Sequence, residues 1–379
     1  MARIESSFEW SWGTRDEEVP VMNTTKNDVC QAGDGKEALY AELEKHWLPL
    51  CPSGELKRKP LGLTVLDVPL VLFRTEEGAH ALLDRCPHRN VPLSGGRLTA
   101  GKLVCPYHGW EFDGTGACTR VPGLCTFKPG PHHDASPVAL RERDGFLWVR
   151  LGGWTRPGEP QEVSVPEPLA LPFMNNPEYY SFVWKTAVRG SLLNAAENLL
   201  DATHTHYVHA GLIRTDSGRQ TVNARIRAEG AAVEIEYIGE SGQAGLISRL
   251  FERDRQRSFG RFFMPGVAQI EYSSAKGLTL LITAVMRPTS FAYQDIYAVI
   301  TMKRGRFTNG LKKRVLTPFL KKALNQDIAI VETQQRTIER WGGESFHSTQ
   351  ADLIRPYLEQ LMKGKVYDTP YEKKVQLFV

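Results

Sequence analysis

The sequence predicts an α+β protein with an all-β amino-terminal domain and a carboxy-terminal domain that combines an antiparallel sheet with helices. Its 379 residues exceed what one ordinary hydrophobic core accommodates, which indicates two domains. Short apolar runs between Gly and Pro, such as "LTVLDVPLVLFR" and "GFLWVRL", predict strands from about 60 to 151. Further strand patterns fill 220–302, and Leu311, Val315 and Phe319 then recur every four residues, as in a helix.

Three segments follow from these patterns: an extension over 1–36, a first domain over 37–155 and a second over 156–379. The Gly- and Pro-rich stretch "GGWTRPGEPQEVSVPEPLALP" marks the boundary between the domains. "LYAELEKHWLPLC" predicts a short helix before the first strands, and "LISRLFERDR" predicts another among the later strands. Pro318 is expected to kink or divide the carboxy-terminal helix, because proline lacks the amide that the helix ladder needs.

Composition and charge exclude several classes of protein. The chain is 41% hydrophobic and 24% charged, as globular proteins are, and a net charge of only +4 argues against nucleic acid as the main partner. No apolar run reaches the length of a membrane span, and the amino terminus lacks the layout of a secretory signal. Six cysteines are too few for a disulfide framework, so we expect a cytoplasmic protein with reduced thiols. The lysines of the carboxy-terminal helix form a solvated face, or contact an acidic redox partner or a membrane surface.

The segment "CPHRNVPLSGGRLTAGKLVCPYHGW" places one cysteine and one histidine in each of two short loops, at Cys86, His88, Cys105 and His108. Structural zinc sites usually gather their ligands in like pairs, which this arrangement does not do. A 2Fe–2S cluster with two unlike irons needs two thiolates for one iron and two imidazoles for the other. The spacing therefore favours such a cluster over zinc or no metal.

"CPHR…CPYHGWEFD" resembles the signature of the Rieske non-heme iron oxygenases. The resemblance implies an all-β Rieske domain followed by a helix-grip-like catalytic domain that binds a mononuclear Fe(II). It also implies that Cys86 and Cys105 hold one iron of the cluster while His88 and His108 hold the other. The ligand set is then complete, so Cys118 and Cys125 are interpreted as structural.

A second motif, "ENLLDATHTHYVHAG", matches that family's pattern with Asn198, Asp201, His204 and His209. The histidines are five residues apart, roughly 140° around an ideal helix. The helix must therefore bulge or end between them if both are to bind one Fe(II). His206 lies between them and is an alternative ligand by local geometry. Three roles remain open for Asn198: it supports a metal ligand, it caps the helix, or it packs in the core.

The third ligand of a two-histidine, one-carboxylate site comes from elsewhere in the chain. The segment "NQDIAIVETQQR" resembles the family's carboxy-terminal helix, which implies Asp327 as the ligand, with Glu332 as the alternative. The resemblance also implies that Asp201 connects the two metal centres. Its carboxylate would accept from His204 and from His108 of a neighbouring subunit, which predicts a homotrimer.

These features predict the oxygenase component of a Rieske monooxygenase that uses O2. No Gly-x-Gly-x-x-Gly segment opens a βαβ unit, so we expect NAD(P)H to act through a separate reductase or ferredoxin. The predicted substrate is a hydrophobic small molecule, sterol-like or polycyclic, oxidised at a C–H or methyl group. The alternatives are O- or N-demethylation of a small aromatic compound, a Rieske electron-transfer protein without oxygen chemistry, and a zinc-stabilised binding module.

Overall fold

The chain folds into two units, both built on antiparallel sheet, which confirms the α+β class. The structure is a computed structural model and describes residues 32–123, 125–126, 128–152, 166–215, 219–239, 255–305 and 308–379. The amino-terminal unit comprises Tyr40–Asn175 together with Arg287–Phe291. The carboxy-terminal unit comprises Asn176–Met286 and Ala292–Val379, with the described residues before Tyr40.

Ten strands form two sheets in the amino-terminal unit. The six-stranded sheet has the order β1-β10-β9-β4-β3-β2, and the four-stranded sheet has the order β5-β6-β7-β8. The strands are β1 (Leu48–Pro52), β2 (Leu61–Val65), β3 (Val68–Thr75), β4 (Gly78–Leu83), β5 (Arg97–Thr99), β6 (Lys102–Val104), β7 (Glu111–Phe112), β8 (Cys118–Arg120), β9 (Pro137–Arg143) and β10 (Phe146–Arg150).

Two-residue turns set the register of three hairpins in this unit. Leu66 and Asp67 connect β2 to β3, Ala100 and Gly101 connect β5 to β6, and Asp144 and Gly145 connect β9 to β10, all with positive φ. Two consecutive residues of positive φ give the turn whose twist matches that of paired strands. Leucine rarely adopts this conformation. At Leu66 the turn is held because its amide donates to the Pro288 carbonyl at 2.7 Å.

The core of the amino-terminal unit lies directly beneath the predicted cluster ligands. Cys86 and Cys105 are buried in one cluster of side chains with Cys118, Phe73 and Phe112. Cys118 thus has the packing role expected of it, whereas Cys125 is exposed. The two ligand loops are consequently anchored on rigid, packed backbone.

Eight strands form one antiparallel sheet in the carboxy-terminal unit, in the order β11-β17-β16-β15-β14-β13-β12-β18. The strands are β11 (Tyr179–Arg189), β12 (Thr221–Gly230), β13 (Ala232–Ile238), β14 (Arg257–Phe263), β15 (Val267–Ser274), β16 (Gly277–Ser290), β17 (Tyr293–Lys303) and β18 (Tyr367–Phe378). The α-helices among the described residues of the chain are α1 (Ala32–Leu43), α2 (Leu192–Leu200), α3 (Asn309–Arg340) and α4 (Arg355–Met362). Among the described residues, no helix has the length and apolar composition that a bilayer crossing requires.

Helices α2 and α3 pack against the apolar face of this sheet. Ile235 pairs with Gly260, and a β-carbon at Gly260 would lie 3.4 Å from the side chain of Leu200 in α2. Gly190 leaves room in the same way for Val331 of α3, which a β-carbon would approach to 2.5 Å. Both helices therefore lie close to the sheet because small residues face them.

The opposite face of the same sheet carries a ladder of ion pairs across four neighbouring strands and β18. At its centre, Arg261 contacts Glu234 and Glu271, each at 2.6 Å. The side chains of Arg261 and Glu234 are only 16% and 8% exposed, so their charges are largely removed from water. The flanking members of the ladder are Arg225, Arg227, Glu236, Arg257 and Glu372.

The structure differs from the sequence-based expectation in two elements. The expected division of the helix at Pro318 is wrong: α3 continues through this residue, and Leu316 and Leu320 on either side pack into the core with Phe182. The chain ends in β18, which no pattern predicted; its position is fixed by pairing with β12 from Thr221↔Phe378 onward. The predicted helix "LISRLFERDR" lies outside the described residues except for its last residue.

Arg261→Met should lower the free energy of unfolding by about 3 kcal/mol, because it leaves two largely buried carboxylates without their cation. Chemical denaturation monitored by circular dichroism measures this change. Arg257→Met is the matched control: its side chain is 61% exposed, and we expect a loss below about 1 kcal/mol. Equal losses in both variants would contradict a buried, charge-dependent ladder.

Candidate metal centres

The two loops that carry the cluster ligands have the same backbone design. The amide of Cys86 donates to the Val91 carbonyl, and the amide of Cys105 donates to the Trp110 carbonyl, both at 2.9 Å. In each loop the residue four positions after the cysteine donates back to the cysteine carbonyl. That residue has positive φ and is Asn90 in one loop (φ 60°) and Gly109 in the other (φ 71°), residue types that tolerate the conformation.

Close packing holds the two loops against each other. A β-carbon at Gly96 would lie 2.2 Å from the Val104 carbonyl oxygen, so only glycine permits this approach. Asp84 fixes the first loop by accepting from the amide and the hydroxyl of Ser94, at 2.7 and 2.6 Å. The paired loops present one cysteine and one histidine each.

The imidazoles of the two loops are neighbours. The ring centroids of His88 and His108 are 4.6 Å apart, and His88 stacks on Trp110 with an interplanar angle of 5°. The Nδ1 atom of His88 is buried and has no hydrogen-bond partner among the described residues. Burial and the neighbouring His108 lower the pKa of His88, which keeps this ring neutral.

The Cys86 thiol does not ionise readily in its buried position. Burial, followed by the adjacent Cys105, raises the pKa of Cys86 to about 11. A metal would supply the missing charge and hold both sulfurs as thiolates. The two cysteine sulfurs and the two imidazoles, including the buried Nδ1 of His88 that lacks a hydrogen-bond partner among the described residues, fit a 2Fe–2S cluster with two sulfur and two imidazole ligands.

A second donor set begins where α2 ends. The helix starts at Ser191, whose hydroxyl accepts from the Asn194 amide, and stops at Leu200. The carboxylate of Asp201 accepts from the amides of Thr203 and His204, at 2.7 and 3.0 Å, and so begins a new turn at His204. The helix therefore ends before the first histidine, and the five-residue spacing is spanned by a short 3₁₀ turn and loop.

Three side chains converge at this point: His204, His209 and, from α3, Asp327. The two Nε2 atoms are 3.3 Å apart, and Oδ1 of Asp327 lies 3.4 Å from the first and 2.9 Å from the second. Among the described residues they form a group of three donors that could hold one metal ion. This is the two-histidine, one-carboxylate arrangement of non-heme iron sites.

The protonation of His204 supports a metal at this point. Its Nδ1 lies 2.7 Å from the main-chain carbonyl of Asp201, which only accepts, so the ring proton is on Nδ1. In the neutral ring, the Nε2 lone pair faces the other donors. Oδ1 of Asp327 is buried and lies within 3.4 Å of both Nε2 atoms. Two imidazole nitrogens and a carboxylate oxygen this close together fit a cation at their centre.

The electrostatic field of the site is negative. Burial would lower the pKa of His204, but its contacts with Asp201 and Asp327 outweigh burial and raise the pKa to about 9. Burial would raise the pKa of Asp327, yet the two imidazoles lower it overall. The two carboxylates thus make His204 bind a proton more strongly than free histidine does.

The remaining candidates lie elsewhere. Glu332 is directed toward Arg189 and Arg336, and His206 is buried outside the group of three donors. Asn198 lines a cavity beside Asp201.

Two contacts of the iron-site histidines were not signalled by the sequence. The ring of His204 contacts the main-chain carbonyl of Asp201, whereas the carboxylate lies 3.7 Å away, because that carboxylate caps the following turn. Gln326 contacts the ring of His209. No local pattern predicts either contact, since glutamine is common on helices and the carbonyl belongs to every residue.

Two protein-family models match parts of the chain. Residues 46–129 match the Rieske [2Fe-2S] domain, and residues 188–354 match the vanillate O-demethylase oxygenase C-terminal domain. The resemblance to the Rieske non-heme iron oxygenases is therefore confirmed. The chain carries that family's cluster domain followed by its catalytic-type domain.

Individual relatives are similar over part of their length. The chain is 39% identical over 176 residues to the oxygenase component of dicamba O-demethylase from Stenotrophomonas maltophilia, covering 45% of this chain and 49% of that protein. It is 36% identical over 205 residues to chlorophyllide a oxygenase from Chlamydomonas reinhardtii, covering 52% of this chain and 30% of that protein. The chain thus spans half or less of these curated relatives.

Solved structures share the fold over nearly their whole length. NdmA of Pseudomonas putida CBB5 with caffeine has a TM-score of 0.74 at 19% identity, over 89% of this chain and 98% of that one. Dicamba monooxygenase bound to dicamba has a TM-score of 0.69 at 24% identity, over 85% and 98%. Both units of the chain therefore have the architecture of this class.

The cluster assignment predicts that Cys105→Ser or His88→Ala abolishes the visible absorption and the reduced-state EPR signal of the cluster, because each removes one of four protein ligands. Cys118→Ala, a cysteine in the same core that is not assigned as a ligand, should keep both signals. Full cluster absorbance in His88→Ala would contradict the ligand set.

The mononuclear assignment predicts that His209→Ala or Asp327→Ala loses one iron per chain while the red-brown cluster remains. Metal analysis combined with cluster absorbance measures both quantities in one sample. Glu332→Ala, five residues further along α3, serves as the control and should keep its iron. Retained iron in Asp327→Ala with lost iron in Glu332→Ala would make Glu332 the ligand.

Proposed function

We propose that the protein is the terminal oxygenase component of a Rieske non-heme iron monooxygenase, using O2 and electrons from a separate reductase or ferredoxin. The observation that carries this proposal is the convergence of His204, His209 and Asp327 on a chain that also has a Rieske domain. An electron carrier would need only the cluster, and a zinc-stabilised module would leave the three-donor site without a role. The proposed place of action is the cytoplasm.

When bound, the cluster and the mononuclear iron would supply electron transfer and O2 chemistry. Cys86, Cys105, His88 and His108 would hold the cluster. The protein's own contribution is to orient the ligands: the Asp201 carbonyl keeps the His204 proton on Nδ1. His209 is 1% exposed, which limits the access of bulk water to this donor.

The substrate is proposed to be a hydrophobic small molecule oxidised at a C–H or methyl group, with a sterol-like or polycyclic compound as the first candidate. Support comes from one end of β11, where Tyr180, Phe182 and Trp184 lie on one face at ring distances of 5.9 and 5.2 Å. Tyr180 and Trp184 are only partly buried by the core. Aromatic side chains of this kind line pockets for apolar ligands.

Demethylation of a small aromatic compound is the second candidate. Dicamba O-demethylase and a vanillate O-demethylase oxygenase subunit from Pseudomonas are among the relatives, and the NdmA structure contains caffeine. Those molecules carry methoxy or N-methyl groups. Oxidation of a methyl carbon is common to both candidates.

We further propose a homotrimer in which His108 of one subunit approaches Asp201 of the next. The Asp201 carboxylate accepts from three local donors, the amide and hydroxyl of Thr203 and the amide of His204. A carboxylate accepts about four hydrogen bonds, which leaves room for one imidazole N–H. Asp201 also lines a cavity of about 490 Å³ with Ile330 and Phe346, both exposed, which supports docking of a neighbour there.

Mixed oligomers test the function and the assembly together. Cys105→Ser removes the cluster and His204→Ala removes the mononuclear iron, so each chain alone should be inactive. Co-expressed, some interfaces would pair an intact cluster with an intact iron site of the neighbour, and partial activity should return. Product formation and NADH-dependent O2 uptake measure it, with a surrogate reductase and a panel of a steroid, a methoxybenzoate and an N-methylated purine.

The wild-type oligomer is the reference for this experiment. Well-folded mixed trimers that stay inert, while wild-type trimers turn over a panel substrate, would contradict transfer between subunits. Wild-type protein that reduces O2 with none of the panel substrates converted would contradict the substrate classes alone.

A further inference from the structure

The two iron-site histidines are oriented by different kinds of acceptor. The Nδ1 atom of His204 faces a main-chain carbonyl, which no substitution of a side chain removes. The Nδ1 atom of His209 lies 3.0 Å from Oε1 of Gln326. His209 is 1% exposed, so water does not replace that partner readily. The orientation of this ring therefore depends on one side chain.

The identity of the atom facing His209 decides whether the ring binds a metal through Nε2. A neutral imidazole has one N–H, so the Nε2 lone pair is available only when the proton is on Nδ1. The carbonyl oxygen of Gln326 accepts that proton. With its amide turned over, Gln326 would donate to Nδ1, and Nε2 would carry the proton toward Asp327.

The position of Gln326 on α3 makes it suited to this task. It immediately precedes Asp327, whose Oδ1 lies 2.9 Å from Nε2 of His209. One turn of α3 thus contacts both nitrogens of the His209 ring: Gln326 supplies a hydrogen-bond acceptor for Nδ1, and Asp327 supplies a second metal ligand beside Nε2. Because both groups belong to one rigid helix, their separation is fixed before a metal arrives.

We propose that Gln326 is a positioning residue of the iron site, whose Oε1 selects the metal-binding tautomer of His209 and sets the ring's orientation. This inference rests on the proposed function of the three-donor site. Hydrogen-bond partners of metal-bound histidines typically change metal affinity by about 10- to 100-fold when they are removed. The contribution of Gln326 is expected in that range.

The experiment compares Gln326→Met with Gln326→Glu in the full chain with its cluster intact. Methionine has a similar length without a strong acceptor, whereas glutamate accepts but does not donate. Asn325→Met is the matched control, since Asn325 is the preceding residue of α3 and is exposed. The Fe(II) dissociation constant is measured by competition with a chelator. The EPR spectrum of the nitric oxide adduct, recorded with the cluster oxidised, reports ligand orientation independently of turnover.

Gln326→Met should weaken Fe(II) binding by about 10- to 100-fold and alter the EPR spectrum, with the cluster absorption unchanged. Gln326→Glu should bind Fe(II) at least as tightly as wild type, and Asn325→Met should match it. Wild-type affinity in Gln326→Met, or a Glu variant as weak as the Met variant, would overturn the inference while leaving the proposed function intact. If the wild-type chain holds no iron beyond its cluster and His204→Ala changes nothing, the proposed function fails and this inference with it.

Discussion

The convergence of two imidazole nitrogens and one carboxylate oxygen within 3.4 Å is the constraint on which the carboxy-terminal unit depends. Three acceptors this close together repel one another unless a proton or a cation lies between them. The raised pKa of His204, about 9, is the effect of the neighbouring carboxylates of Asp201 and Asp327. A cation satisfies all three donors at once, which a single proton does not.

The surrounding fold holds this unfavourable arrangement in place. Asp201 follows the last residue of α2, and its carboxylate caps the short turn that carries His204. Helix α3 supplies Asp327 to the same site from a distant part of the chain. Glycines at Gly190 and Gly260 let α3 and α2 lie close to the sheet. The ion-pair ladder on the other sheet face pairs four arginines with four glutamates.

The cluster ligands are positioned mainly by hydrogen bonds within their own loops. Their ligands come from two copies of one turn, each fixed by the same pair of main-chain hydrogen bonds around Cys86 and Cys105. The histidine is two residues after the first cysteine and three after the second, yet the rings meet at 4.6 Å. The local backbone therefore determines most of this site, whereas the mononuclear site depends on contacts between distant elements.

The sequence by itself determined the features that depend on short spacing: the α+β class, the cluster motif, and the grouping of Asp201, His204 and His209 at a helix end. Local hydrogen bonds and turn preferences specify these. Tertiary structure alone decided the pairing of β18 with β12, the continuity of α3 through Pro318, and the placement of Asp327 rather than Glu332 beside the histidines. It also decided the contact between His209 and Gln326, 117 residues apart. Such contacts arise from the packing of whole elements, and no local pattern encodes which residues of two distant segments will meet.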